Sequence, residues 1–382
     1  MLHVQVPPQP LMQVVHILAP GPVGGLERVV TTLAAAQRAS GSDVRVIAVL
    51  DEGAREPASL LALRDGGVPV DPVALPGRAY RLERRRLGEV LQRLGSRVLV
   101  HTHGYRADIQ GGAVARRLGL ATVTTVHGFT GGGPKNRLYE WLQRRAFRRF
   151  DAVVAVSKPL GEALVSAGVP SGRVHVIPNA APPLGAVLNR ADARRELGLP
   201  SDSFAIGWVG RLSLEKGPDI LVEALALLPR DVAAVMIGDG RAGPALRRLA
   251  AGRRVGERIR WCGLVPDAGR LFRAFDCFVL SSRTEGTPIV LFEAMATDVP
   301  IVATAVGGVP DVVSDRDAVL VRPGDPQALA RAVLDVRNDA AAAHARAAAA
   351  HHRLVDERGV APWVVRYEAV YRRLHANPTL PA

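Results

Sequence analysis

Two series of short β-rich runs, separated by helix-like stretches and divided by one strand-free gap, restrict this chain more than any other feature. The first series reads QVVHIL (13–18), DVRVIAVL (43–50), RVLVHTH (97–103), ATVTTVH (121–127), DAVVAVS (151–157) and RVHVIPN (173–179). The second reads FAIGWVG (204–210), VAAVMIG (232–238), RIRWCG (258–263), DCFVLSS (276–282) and VPIVATA (299–305). Near-continuous apolar runs alternating with helical patterns are what a parallel sheet needs, because crossover helices cover both of its faces. The fold class expected is therefore α/β, with two Rossmann-like doubly wound domains over 1–182 and 204–360. Residues 183–203, which carry Pro183, Pro200 and no strand pattern, read as the linker. The stretch 361–382 contains a last amphipathic helix, PWVVRYEAVYRRL. At 382 residues there is enough chain for two separate cores. Such sheets bind ligands beyond the carboxyl ends of their strands, so two of them face to face enclose a cleft.

The segment SRTEGTPIVLFEAMA (282–296) carries the sharpest chemistry. Thr287 and Pro288 read as the N-cap and first position of a helix, since Pro lacks only an N–H that is unpaired there anyway. Glu285 then precedes the helix, and Glu293 lies about 7.5 Å along its axis. Between the two acids sit the free amides of the first turn, which attract an anion. A nucleoside diphosphate sugar offers the matching series of ribose hydroxyls, two phosphates and sugar hydroxyls.

The formal charge of +13 favours anionic partners: nucleotides, phosphates or an anionic membrane surface. Aromatic residues make up only 4% and no zinc-finger or RNA-recognition signature occurs, which argues against nucleic acid. Two cysteines, Cys262 and Cys277, are too few for a disulfide framework or metal cage, and both read as small buried side chains. The opening MLHVQVPPQPLMQ has no basic region followed by an apolar run, and no later stretch approaches 18 apolar residues. A cytoplasmic protein is expected, with peripheral contact to the inner face of the cell membrane as the way it would meet lipid. His344, His351 and His352 lie in an Ala-rich helix, but adjacent His351 and His352 point in different directions and no carboxylate is suitably placed in the sequence, so no metal is expected.

Other motifs cluster at strand ends. In GWVGRLSLEKG (207–217) a strand ends at Gly210, and Arg211 and Lys216 follow as two cations able to neutralise a diphosphate leaving group in place of a metal. Gly24 and Gly25 stand after the first strand and before a helix, where glycine permits close approach to phosphate. His127 ends a strand beside Gly128, which aims it at the cleft. IGDGRAG (237–243) fits G-x-G-x-x-G but sits on the second unit of its domain, so dinucleotide binding is not expected. KNRLYEWLQRRAFRRF (135–150), together with RAYRLERRR (78–86), reads as a basic amphipathic surface suited to anionic lipid or a lipid-linked phosphate.

From GGLERVV through VHGF, VAVSKPL, VIPN, GRLSLEKG and IGDG to EGTPIVLFEAMA and VATAVGGVPDVV, the chain resembles the retaining glycosyltransferases of family 4, which have the two-domain GT-B fold. Glu285 and Glu293 match that family's E-x7-E element. The resemblance implies that Glu293 holds the ribose hydroxyls and that Glu285, with the donor-binding segment Gly286, Thr287, Pro288 and Ile289, meets the transferred sugar. It implies that Arg211 and Lys216 neutralise the diphosphate and that His127 lies near the sugar. Gly24, Gly25 and Gly210 would lie at the donor, Val265 against its base, and the final helix would cross back to the first domain. Asp298 replaces a frequent glycine after EAMA, and IPNAAPP replaces the frequent Pro-Asn-Gly, which weakens any role for Asn179.

The function expected is transfer of a hexose-type sugar from a nucleoside diphosphate sugar to a hydroxyl acceptor, a lipid-linked or polysaccharide intermediate. Configuration would be retained, with no metal and no cofactor beyond the donor itself. The rivals are a nucleotide-sugar epimerase or hydrolase of the same fold, a pyridoxal-phosphate phosphorylase of similar architecture, and a basic nucleic-acid-binding protein.

Overall fold

The computed structural model describes residues 12–21, 24–129 and 134–376. The first domain is a seven-stranded parallel sheet ordered β3-β2-β1-β4-β5-β6-β7. Its strands are β1 (Gln13–Leu18), β2 (Val44–Asp51), β3 (Val70–Leu75), β4 (Val98–His103), β5 (Ala121–Val126), β6 (Ala152–Ala155) and β7 (Val174–Val176). The second is a six-stranded parallel sheet ordered β10-β9-β8-β11-β12-β13. It comprises β8 (Phe204–Val209), β9 (Val232–Ile237), β10 (Ile259–Gly263), β11 (Cys277–Leu280), β12 (Ile301–Thr304) and β13 (Val319–Val321). Every residue of β4, β6, β11 and β12 is buried, as sheets covered on both faces require. In each sheet the order reverses beside the first strand, between β1 and β4 and between β8 and β11, and loops from these switch points form the site.

Two strands are absent from the sequence expectation. β3 contains Pro72, which argues against a strand in the middle of a sheet; it is tolerated because β3 is an edge. β13 is an edge strand of three residues, too short to show a period. The stretch 183–203 is not an open linker throughout, since it holds the helix Arg190–Leu197, capped by Asn189 and ended by the left-handed Gly198. Buried Arg194 donates to the carbonyls of Pro200, Ser203 and Ala274, tying this segment to the second domain.

The helix Val360–Ala376 packs on the first domain. Tyr371 bonds to His101, and Tyr367 to Thr125; Glu368 accepts from Ser42. Trp363, Val364, Tyr367 and Val370 are buried here. Among the described residues no helix is long and apolar enough to cross a membrane.

Candidate active site

The loop after β8 is held against the loop after β11 by a glycine. Gly217 has φ +60, and a Cβ there would collide with the carbonyl oxygen of Ser281. Ser281 in turn accepts from Trp208 Nε1 at 3.1 Å and donates to the Gly217 carbonyl at 2.7 Å. This close approach brings Lys216 Nζ to 2.7 Å from each carboxylate oxygen of Glu285. Ser282 donates a further bond to Glu285 Oε1 at 2.6 Å. The result is a carboxylate of fixed orientation, nearly buried, with its charge matched by one lysine.

Eight residues on, Glu293 lies buried within the helix Ile289–Ala296. Burial pushes its carboxyl above the ordinary range, and Arg28 opposes that shift. Arg28 comes from the other domain: it projects from the helix Gly25–Ala39, pairs with Glu293 and stands 3.8 Å from Asp267. Gly25 lies beside Ile289, where a Cβ would sit 3.8 Å from its side chain, while Gly24 caps its helix with an extended backbone. Gly25 therefore faces the opening of the Ile289–Ala296 helix, while Gly24 lies against the carboxylate of Glu27 in its own helix.

Thr287 does not act as the expected N-cap. Pro288 occupies that position without a side-chain bond, and the helix starts at Ile289. The Thr287 hydroxyl instead donates to the Val156 carbonyl at 2.6 Å, a bond between the two domains. Beside it, Gly286 packs against the main chain of His127, where a Cβ would collide with the His127 carbonyl oxygen. His127 is thus at the cleft, half-buried, with Nε2 3.3 Å from Nδ1 of His103. Burial lowers its pKa to about 4, so the ring is neutral at pH 7.

The remaining expected residues are placed less tightly. Arg211 is 60% exposed, with Glu215 at 4.0 Å, and stands at the rim rather than inside. Gly210 bonds through its amide to the Ile237 carbonyl at 3.0 Å. Val265 is half-buried against the main core, just ahead of the 3-10 helix Ala268–Ala274, where a Cβ on Gly269 would lie 3.3 Å from the Glu293 carboxylate. The glycines of IGDGRAG serve packing: side chains at Gly238 and Gly240 would collide with the carbonyls of Gly210 and Leu212. Asn179 is buried, with its side-chain oxygen unpartnered. His351 faces Asp298 at 3.0 Å, and His344 bonds to its own helix at Ala340. Cys277 is buried and Cys262 half-buried.

Sequence reasoning missed Arg28, Ser282 and a buried cluster of His16, His101 and His103. The only signal for Arg28 was its place one turn after the glycine pair. For the histidines the signal was His101 and His103 two apart in a strand, hence on one face.

The arrangement offers a helix N-terminus with one fixed acid, Glu285, ahead of it and a second, Glu293, one turn inside it, and cations from both domains. The profile described as Glycosyltransferase Family 4 matches residues 23–183, and that described as Glycosyl transferases group 1 matches residues 203–339. A D-inositol 3-phosphate glycosyltransferase of Xylanimonas cellulosilytica is 32% identical over 81% of this chain and 82% of its own length. An Escherichia coli enzyme, the UDP-Gal:alpha-D-GlcNAc-diphosphoundecaprenol alpha-1,3-galactosyltransferase, is 28% identical over 63% of this chain and 66% of its own. Among solved structures, Anabaena HepE in complex with UDP-glucose superposes with a TM-score of 0.81, at 22% identity, covering 96% of this chain and all of HepE. Two parallel-sheet domains with these matches to both halves place this chain in glycosyltransferase family 4, with the GT-B fold.

Proposed function

We propose that this glycosyltransferase takes a hexose-type sugar from a nucleoside diphosphate donor, a UDP-sugar first among candidates, and retains its anomeric configuration without a metal. The observation that carries the reading is the pair Glu285, just before one helix N-terminus, and Glu293, one turn inside it, each acid already matched to a cation. Glu293, buried beside Arg28, is suited to accept from the two ribose hydroxyls, which would share it with Arg28. The first-turn amides of Ile289–Ala296, with Lys216 and the rim residue Arg211, would take the diphosphate charge that grows as the glycosidic bond breaks. Gly25 leaves room for that diphosphate on the opposite wall, whereas the Glu27 carboxylate fills the space beside Gly24.

Glu285 is unsuited to be a nucleophile. Both of its oxygens accept from Lys216 and one also from Ser282, and such charge-assisted bonds stabilise the carboxylate where it is. A same-face reaction through an oxocarbenium-like state fits better: the departing phosphate takes the proton of the incoming hydroxyl, and Glu285 positions the sugar. The acceptor we favour is a lipid-linked or glycan intermediate, as the name of the E. coli relative specifies for that enzyme. A basic first-domain face supports this. In the helix Pro134–Phe147, Leu138 and Trp141 are each 56% exposed among arginines. Co-sedimentation with anionic vesicles checks that face, and loss of binding in Trp141→Glu is the expected result.

A thermal-shift panel of UDP-, GDP- and ADP-sugars, with and without a chelator, tests the donor. A true donor at 100 times its dissociation constant stabilises by about 2.7 kcal/mol. No shift with any of them would end this reading, and a shift abolished by the chelator would end its metal-free form. NMR of the first product linkage formed distinguishes retention from inversion.

A further inference from the structure

Behind His127 runs a buried chain of hydrogen bonds that the transfer reaction does not by itself require. His127 Nε2 meets His103 Nδ1 at 3.3 Å, His103 Nε2 meets His16 Nδ1 at 3.0 Å, and His16 Nε2 meets the Gln37 side-chain oxygen at 2.7 Å. The sheet register makes this possible: Leu18 pairs with His103 and His16 with His101, so β1 and β4 set three imidazoles side by side on one face. All of the chain beneath His127 is buried.

The direction of the bonds is set at Gln37. Its carbonyl oxygen can only accept, so His16 carries its proton on Nε2 and presents a bare Nδ1. His103 must then donate from Nε2, which leaves its Nδ1 to accept from His127 Nε2–H. The other arm agrees. The Gln37 amide donates to the Tyr371 hydroxyl at 3.3 Å, which leaves the Tyr371 proton free for His101 Nδ1 at 2.8 Å. His101 Nε2–H then donates to Thr125 at 2.8 Å. Every imidazole in the network is neutral, since burial lowers the pKa of each below its ordinary value. In a neutral ring with Nε2 protonated, Nδ1 is an acceptor.

We propose that His103 and His16 are positioning residues that hold His127 in its Nε2–H tautomer, so that it meets a hydroxyl of the bound donor sugar with an acceptor nitrogen rather than an N–H. The last clause rests on the donor-site reading above; the tautomer does not. The nitrogens of His16, His101 and His103 also lie within 4.8 Å of one another, close enough to hold a divalent metal. Both nitrogens of each of these rings already have hydrogen-bond partners, so the network closes without an ion.

The test is a long-range proton–nitrogen NMR correlation on protein labelled with nitrogen-15 histidine, with His127 assigned from the spectrum of His127→Gln. The Nε2–H pattern is expected for wild type, and its loss in His103→Leu. His103→Asn, whose side-chain oxygen stands where Nδ1 stood, is expected to keep it. With UDP-glucose, His103→Leu should lose kcat/KM by about tenfold, the worth of one hydrogen bond, with affinity for UDP alone unchanged and with recovery in His103→Asn. A wild-type His127 in the Nδ1–H form would overturn the proposal, as would a tautomer indifferent to His103→Leu. One equivalent of divalent metal retained by wild type and lost in His16→Leu would do so too. If His103→Leu does not fold, the wild-type and His103→Asn spectra still decide. Absence of any UDP or UDP-glucose binding would count against the donor reading while the NMR pattern judged the tautomer.

Discussion

Glu285 and Glu293 differ in what holds them, and so in what their loss should do. Glu285 sits between Lys216 and Ser282 as an ionic anchor, and Glu285→Gln keeps its size while removing the charge Lys216 pairs with. A fall in kcat of roughly 10²–10³ is expected for loss of one such electrostatic contact. Intact mass spectrometry after incubation with donor should find no sugar attached to wild type or variant; an adduct would point to double displacement. Glu293, paired with Arg28, is the residue we propose to hold the ribose. Removing the 2′-hydroxyl from UDP should cost wild type about 1.5–3 kcal/mol of affinity, the range for a hydrogen bond to a charged group, and should cost Glu293→Ala almost nothing. Equal losses in both proteins would detach Glu293 from the ribose. The two acids were legible in the sequence because their spacing, and the Pro that marks the helix start, are local properties. Arg28 was not, because nothing local states that a helix of the first domain will face residue 293 of the second. His16, His101 and His103 looked like ordinary strand residues until the register of β1 against β4 aligned them.

At the level of elements, the site depends on backbone segments that approach one another without side chains between them. Gly286 lies against His127, and Gly308 against Gly286 and Ser157. Gly286→Ala would drive a methyl into the His127 carbonyl and separate the two halves of the cleft. The expected outcome is a loss of kcat/KM with little change in melting temperature, because neither core is touched; a coincident larger radius of gyration by X-ray scattering would report the opening. Full activity in that variant would show that the contact is not needed for catalysis. Element existence was largely legible: the eleven runs read as strands correspond to strands, with ends differing by a few residues. The misses have physical causes, a proline allowed at the β3 edge and a β13 too short to show alternation. Thr287 was read as a cap from local preference, but its hydroxyl found a carbonyl in the other domain. Asp298 adopts φ +57, the left-handed conformation that a glycine would take at lower cost, so the departure noted in the sequence concerns a turn.

For the whole molecule, the buried imidazoles dictate how stability follows pH. His16 and His127 have folded-state pKa values of about 4 against 6.5 unfolded, and His101, His103 and His175 shift the same way, all by burial. The unfolded chain therefore binds more protons below pH 6.5. Stability contributed by these groups is fully present above 6.5 and is lost as pH falls toward 4, on the order of 3 kcal/mol for the fully buried His16 and less for the half-buried His127. Asp108, raised to about 6 by burial, works in the opposite direction, as do Glu83 and Glu293. The five histidines outweigh them, so the urea midpoint should drop between pH 7 and pH 5; a flat profile would mean that the imidazoles are not dry. The net charge of +13 and the two-domain plan were readable from the sequence, whereas the side-chain bonds joining the domains were not.

The central claim is that one helix mouth grips the donor diphosphate while Glu293 reads the ribose. Crystals soaked with UDP test it most directly. The ribose hydroxyls should lie on the Glu293 carboxylate, and the phosphates should lie against the first-turn amides of Ile289–Ala296 within reach of Lys216. Nucleotide density elsewhere, with Glu293 held by Arg28 alone, would contradict it.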